Sequence, residues 1–223
     1  MARSFQIILL AFSSALLFVT VPAVSQTEAP AVLTFTLDFP SSQPEHYSIR
    51  IQSDGSARYQ SSGRLSADSE ETDSFDFDFK IASELRQKIF ELAAKAGYFQ
   101  KDVDSHHGSL AFTGKKTLAY KDARRTGEST YNYSSKPAVQ DLTNLMQNLS
   151  ATLEFGHRLQ YDHRYQKLAL DEELKRMEEI SGADPLIEIA AIQPILDQII
   201  ADPSVINVTR ARAQRLLEKA SAH

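Results

Sequence analysis

Between Lys101 and Ser109 the chain reads KDVDSHHGS, which sets Asp102, Asp104, His106 and His107 within six positions. Carboxylate and imidazole are donors that suit zinc or manganese, and they also trade protons readily. The stretch could therefore be a metal centre or the acid–base half of a hydrolase. The spacing argues against a closed site. Successive side chains of an extended segment point to opposite faces, so His106 and His107 diverge, and at most Asp102, Asp104 and His106 share a side. A solvated loop between a helix and a hairpin is the reading this spacing favours.

Other chemistry-bearing patterns are incomplete. Glu154 and His157 have the Glu-x-x-His spacing that puts two ligands on one helical face in carboxylate-bridged di-iron bundles, but the chain has no second copy of it. The pair reads as polar groups on a surface helix. His157 and His163 stand about 240° apart around a helix, so they do not converge. From Gly108, GSLAFTGKKT has five residues between its glycines where a phosphate-binding loop has four. The acidic run from Asp68 to Asp78 lacks the glycine and spacing of a calcium loop. No Gly-x-Ser-x-Gly elbow offers a serine nucleophile. No cofactor is implied.

One basic stretch is the best candidate for a ligand-facing surface. Lys115, Lys116, Lys121, Arg124 and Arg125 lie near Tyr120, Tyr131 and Tyr133, a mixture that can hold an anionic glycan or single-stranded nucleic acid. On a half-exposed strand the same side chains also serve as ordinary solubilising and edge-protecting residues.

The elements that must position these groups follow from hydrophobic period. AVLTFTLDF from Ala31 alternates strictly, as do HYSIRIQ from His46 and SFDFDFK from Ser74, so each is expected as a half-buried strand. Asp54-Gly55 between alternating runs predicts a hairpin. Ser61 to Asp73 is expected as a polar loop. From Ile81 the period becomes helical through Leu85, Ile89, Leu92, Ala93 and Ala96, with Ser83 as N-cap and Gly97 just past the end. SLAFT, TLAYK and STYNYS are expected as three further strand pieces, the first two joined at Gly114-Lys115-Lys116. Pro137 then opens a helix with a stripe of Val139, Leu142, Leu145, Met146, Leu149 and Leu153. Ala-Asp-Pro triplets at 183–185 and 201–203 are expected to start later helices, and Pro194 to break or kink the helix between them. The expected fold class is α+β: an antiparallel sheet with helices packed on one face, followed by a helical C-terminal region.

The N-terminus carries Arg3, an uncharged apolar stretch from Phe5 to Val21, and Ala23-Val24-Ser25, the small residues a signal peptidase reads. This predicts a signal peptide over 1–25 cut before Gln26, an α+β sheet domain over 26–153 and a helical region over 154–223, with no membrane span after cleavage. Of 223 residues, cleavage leaves 198, and loss of Arg3 alone takes the net charge from -5 to -6. That acidic balance argues against a nucleic-acid partner. With Cys 0, neither disulfides nor thiolate chemistry is available.

The run PEHYSIRIQSDGSARY from Pro44, the strand ahead of the first helix, the Gly97-Tyr98-Phe99 ending and the hairpin leading into a Pro-started helix together resemble a family of exported bacterial domains of unknown function. That family is built as hairpin, strand, helix, hairpin, helix. It often carries a Cys-Pro pair just before the tyrosine of its second strand; here two residues separate Pro44 from Tyr47, and there is no cysteine. The resemblance covers residues 31–150 and implies export and a fold without implying an activity. The preferred reading is a non-catalytic exported protein, periplasmic or secreted, that binds another protein or an envelope component. The competing reading is a periplasmic or secreted hydrolase, metal-dependent or not. It would use Asp102, Asp104, His106 or His107 with His157, Asp162 or His163, which requires these groups to meet in one pocket.

Overall fold

A computed structural model describes residues 29–40, 42–64, 72–183 and 186–221. Strands β1 (Val32–Asp38), β2 (His46–Gln52), β3 (Ser56–Arg64), β4 (Thr72–Lys80), β5 (Lys115–Lys121) and β6 (Thr126–Tyr131) form one antiparallel sheet in the order β4-β3-β2-β1-β5-β6. The alternating runs pair with their apolar faces in register: Phe35 lies opposite Ile49 and Leu118, and Ile49 opposite Tyr59. All four are fully buried. The other face is polar, with Thr36 flanked by Ser48 and Thr117 and these by Gln60 and Thr130.

Helices cover the apolar face alone. Helix α1 (Ser83–Lys95) ends in the 3₁₀ turn Gly97–Phe99, whose Tyr98 ring packs at a tilt 4.7 Å from Tyr120 on β5. Helix α2 (Pro137–Tyr165) begins with Pro137 in its first turn, where the missing N–H costs nothing. It crosses the sheet diagonally, and side-chain hydrogen bonds mark its path. Thr143 meets Tyr131 on β6 at 2.5 Å, Ser150 meets Tyr59 on β3 at 2.9 Å, and His157 meets Asp73 on β4 at 2.7 Å. The second half of α2 therefore projects over the β4 edge.

Helices α3 (Leu170–Ala183), α4 (Gln193–Ala201) and α5 (Asn207–Ser221) pack around that half. Gly156 allows it: a Cβ there would collide with Ile192. The same buried cluster runs from Leu33 on β1 to Leu216 on α5, and α2 runs unbroken through residues 153 and 154. Among the described residues no helix is long and apolar enough to cross a membrane.

Several local expectations need correction. Ser83 is the first helical residue; the capping position is Ala82, whose N–H is taken by the Glu188 carboxylate at 2.9 Å. SLAFT is not a strand, because Asn132 Oδ1 takes the Thr113 N–H and no strand pairs with the segment. Lys115 and Lys116 belong to β5, and the hairpin turn is Asp122–Arg125, held by the Asp122 carboxylate on the Arg124 and Arg125 N–H groups. Pro194 opens α4 and does not kink it. Asp202 follows α4 and nucleates a turn through the Ser204 N–H, so α5 starts only at Asn207. Strand β3 extends to Arg64 and β4 begins at Thr72; residues 65–71 and the pair 184–185 lie outside the described residues.

Candidate functional site

The sheet and α2 meet at the β4 edge in a cleft of about 470 Å³, lined by Ser61, Ser62, Asp73, Phe75, Glu154, His157, Arg158, Tyr161 and Asp162 among others. Helical spacing brings the α2 residues together: 154, 157, 158, 161, 162 and 165 follow i, i+3, i+4 steps and form one stripe. Strand alternation supplies the rest, since Ser61 on β3 and Phe75 on β4 point to the helix side and sit opposite each other.

Hydrogen bonds fix the floor of the cleft. Glu154 Oε1 accepts from Tyr59 Oη at 2.7 Å and from Ser61 Oγ at 2.6 Å. Burial, and then the Glu154 carboxylate, push the Tyr59 phenol far above its usual value, so it stays a donor. His157 Nε2 donates to Asp73 Oδ2 at 2.7 Å, and the imidazole stacks on Phe75 with centroids 4.2 Å apart.

At the rim, Arg158 is tied to Glu173 and lies 4.6 Å over the Phe155 ring. Tyr161, 51% exposed, packs against Tyr165 at 5.1 Å. Burial raises the Asp162 carboxyl above its usual range, Glu173 adds to this, and Arg158 only partly offsets it.

The arrangement offers an imidazole–carboxylate pair, a carboxylate with two hydroxyl donors and an exposed phenol. Ser61 donates to Glu154 and not to His157, so the serine and the base are not coupled as nucleophilic catalysis requires. Among the described residues, no group of three or more His, Asp or Glu side chains is placed to hold a metal ion.

Of the residues singled out from the sequence, Glu154, His157 and Asp162 line this cleft, whereas the 102–107 loop and the basic residues lie elsewhere. Asp102, Asp104 and His106 satisfy one another and the local backbone. Asp102 Oδ1 accepts the Asp104 N–H at 2.9 Å, Asp104 Oδ1 the His106 N–H at 2.6 Å, and His106 Nε2 meets Asp102 Oδ2 at 2.7 Å. The Asp104 backbone N–H, and then His106, hold the Asp102 carboxyl below its ordinary range. His107 is exposed, and its N–H turns to Ser105 Oγ. The loop is anchored by Lys136, just ahead of α2, through the Asp102 carbonyl at 2.8 Å. His157 comes about 30 Å further along α2 and His163 beyond it, so the groups required by the hydrolase reading do not meet.

Nor do the five basic residues form one surface. Lys115 and Lys121 occupy opposite ends of β5, about 20 Å apart. Lys116 faces inward, 4% exposed, and its ammonium donates to Thr113 Oγ1 at 2.9 Å, Asn132 O at 3.0 Å and Thr113 O at 3.1 Å. Burial among these neutral oxygens lowers its pKa. Arg125 pairs with Asp122 at 2.8 Å and lies 3.9 Å over the Tyr98 ring, while Arg124 is exposed.

The sequence marks Glu154 and His157 as a ligand spacing, and His157 and Asp162 as partners for the 102–107 loop, but not as members of one cleft with the sheet. The longer stripe ending at Tyr165 was the available signal; Ser61 and Asp73 had none. No protein-family model matches the chain, and no curated protein matches it either.

Proposed function

We propose that this protein is an exported, non-catalytic binding module that takes up another protein or an envelope component at the cleft between β4 and α2. One observation carries the reading. The polar groups of the cleft floor are held by one another, Glu154 by two hydroxyls and His157 by Asp73, and Ser61 is turned to Glu154 and away from His157, so the cleft offers a shaped surface without a coupled nucleophile and base. The aromatic rim supports it further: Tyr161 and Tyr165 present exposed rings, the side-chain type that anchors binding at lowest entropic cost. Export rests on the N-terminal apolar stretch and its Ala23-Val24-Ser25 site.

The test is capture from an envelope extract by immobilised 26–223, beside Tyr161→Ala and His157→Ala proteins shown by circular dichroism to be folded. The expected result is a component retained by the parent protein and released by both variants. Retention by all three proteins alike, or by none, would sink the reading.

A further inference from the structure

The two edges of the sheet are finished differently. Along β6 the chain itself closes the edge. Gly127 abuts Tyr98 O and Gln100 N, Ser129 Oγ takes the Val103 N–H at 3.0 Å, Asp104 takes the Asn132 N–H at 2.9 Å, and Tyr133 O takes the Ser105 N–H at 2.9 Å. Along β4, nine residues long, the backbone bonds only to β3 among the described residues. An unpaired edge of that length is a template for another strand.

We propose that β4 accepts an extended peptide segment of the partner as a seventh strand, with apolar residues alternating with lysine or arginine. The inference rests on the binding reading above and names the form in which the partner is taken. The two sides of β4 dictate that pattern. Towards the helices, Phe75, Phe77 and Phe79 form a half-buried ladder with centroids 5.7 and 5.9 Å apart, which the apolar residues of an added strand would extend. On the open side stand Asp76 and Asp78, which share the guanidinium of Arg58, while Lys80 at the strand's end turns its ammonium to Ser56 Oγ at 2.7 Å, so the centre of the edge keeps an acidic charge for a cation on the incoming strand.

A second copy of this chain is the poorer occupant. Antiparallel pairing of two β4 strands along their whole length is centred on Asp76, which would face its own copy, and like charges directly opposite are destabilising. The aspartates thus keep identical edges apart and leave the edge open to a basic strand.

The probe is a nine-residue peptide alternating lysine with valine, compared with its glutamate counterpart, with hydrogen exchange read on the 26–223 protein. The lysine peptide should slow exchange of the amides in 72–80, and the Asp76→Asn/Asp78→Asn protein should bind it about tenfold more weakly. Slowed exchange confined to other segments, equal binding of the glutamate peptide, or protection of β4 by self-association alone would each overturn the proposal. Tyr161→Ala, tested in the capture assay, separates the two ideas: if the cleft captures a component while β4 ignores the peptide, only the strand addition fails.

Discussion

The 102–107 loop and the cleft each put a histidine beside an aspartate, and they use the pair in opposite ways. In the 102–107 loop His106 meets aspartates two and four positions away and remains 73% exposed, while the longer reaches, from Asp104 to the Asn132 N–H and from Lys136 to the Asp102 carbonyl, only tie the loop to its neighbours. In the cleft, His157 is 23% exposed and its aspartate lies 84 positions away, while Glu154 is met by hydroxyls 93 and 95 positions away. A dense local cluster spends its polar groups shaping its own turn, whereas a site whose members come from β3, β4 and α2 exists only when the whole sheet is closed. The two regions should accordingly respond differently to the same kinds of change.

The largest difference is expected for added bulk. Gly156→Val, on the helix that carries the cleft residues, would drive a side chain into Ile192 and lever α4 away from α2, costing about 2–3 kcal/mol. Gly108→Val in the loop meets nothing within 4 Å and should stay within about 0.5 kcal/mol. Chemical denaturation of both proteins checks the pair. Next comes Tyr59→Phe. It deletes one fully buried hydroxyl and leaves Ser150 and Glu154 short of a partner, so unfolding should be easier by about 1–2 kcal/mol. A loss under a few tenths would mean that water replaces the phenol and that the floor is not fixed as described.

Legibility divides along the same line. Period two in AVLTFTLDF and HYSIRIQ, Asp54-Gly55, Gly97 and Pro137 each act through bonds to near neighbours, so β1, β2, their hairpin partner, the end of α1 and the start of α2 are legible. SLAFT failed because a short alternating run becomes a strand only if a neighbouring strand is free, and β1 already pairs with β5 through Lys115–Lys121. Strand alternation alone separates Lys115 from Lys116, turning one outward and the other inward, so the supposed basic surface was divisible in advance. The stripe from Glu154 to Tyr165 was visible as spacing. Its meaning was not, because nothing local says that α2 crosses the sheet diagonally and delivers those residues to Ser61 and Asp73.

A smaller contrast sharpens the comparison at the histidines themselves. His157→Ala loses a hydrogen bond and a stacked ring and should cost about 1 kcal/mol. His106→Ala, in a solvated turn, should change stability by less than about 0.5 kcal/mol. Equal losses in thermal melts would show that the loop contributes more to the fold than its exposure implies.

The smallest effect carries a sign that the loop cannot mimic. A carboxyl whose folded pKa is raised, as burial and Glu173 raise that of Asp162, penalises the folded state above that pKa, and the penalty vanishes below the unfolded value near 4. Asp162→Asn should therefore stabilise the protein at neutral pH, by a few tenths of a kcal/mol after solvent screening, and the gain should fade as the pH drops below about 4. Asp102 predicts the reverse. Its carboxyl is held low by the Asp104 N–H and His106, so Asp102→Asn should lose stability at neutral pH and converge with the parent protein in acid. Melts at pH 7 and pH 3 read both signs. If Asp162→Asn is the destabilised one at pH 7, the cleft is not desolvated at that carboxylate, and its claim to be the binding surface weakens with it.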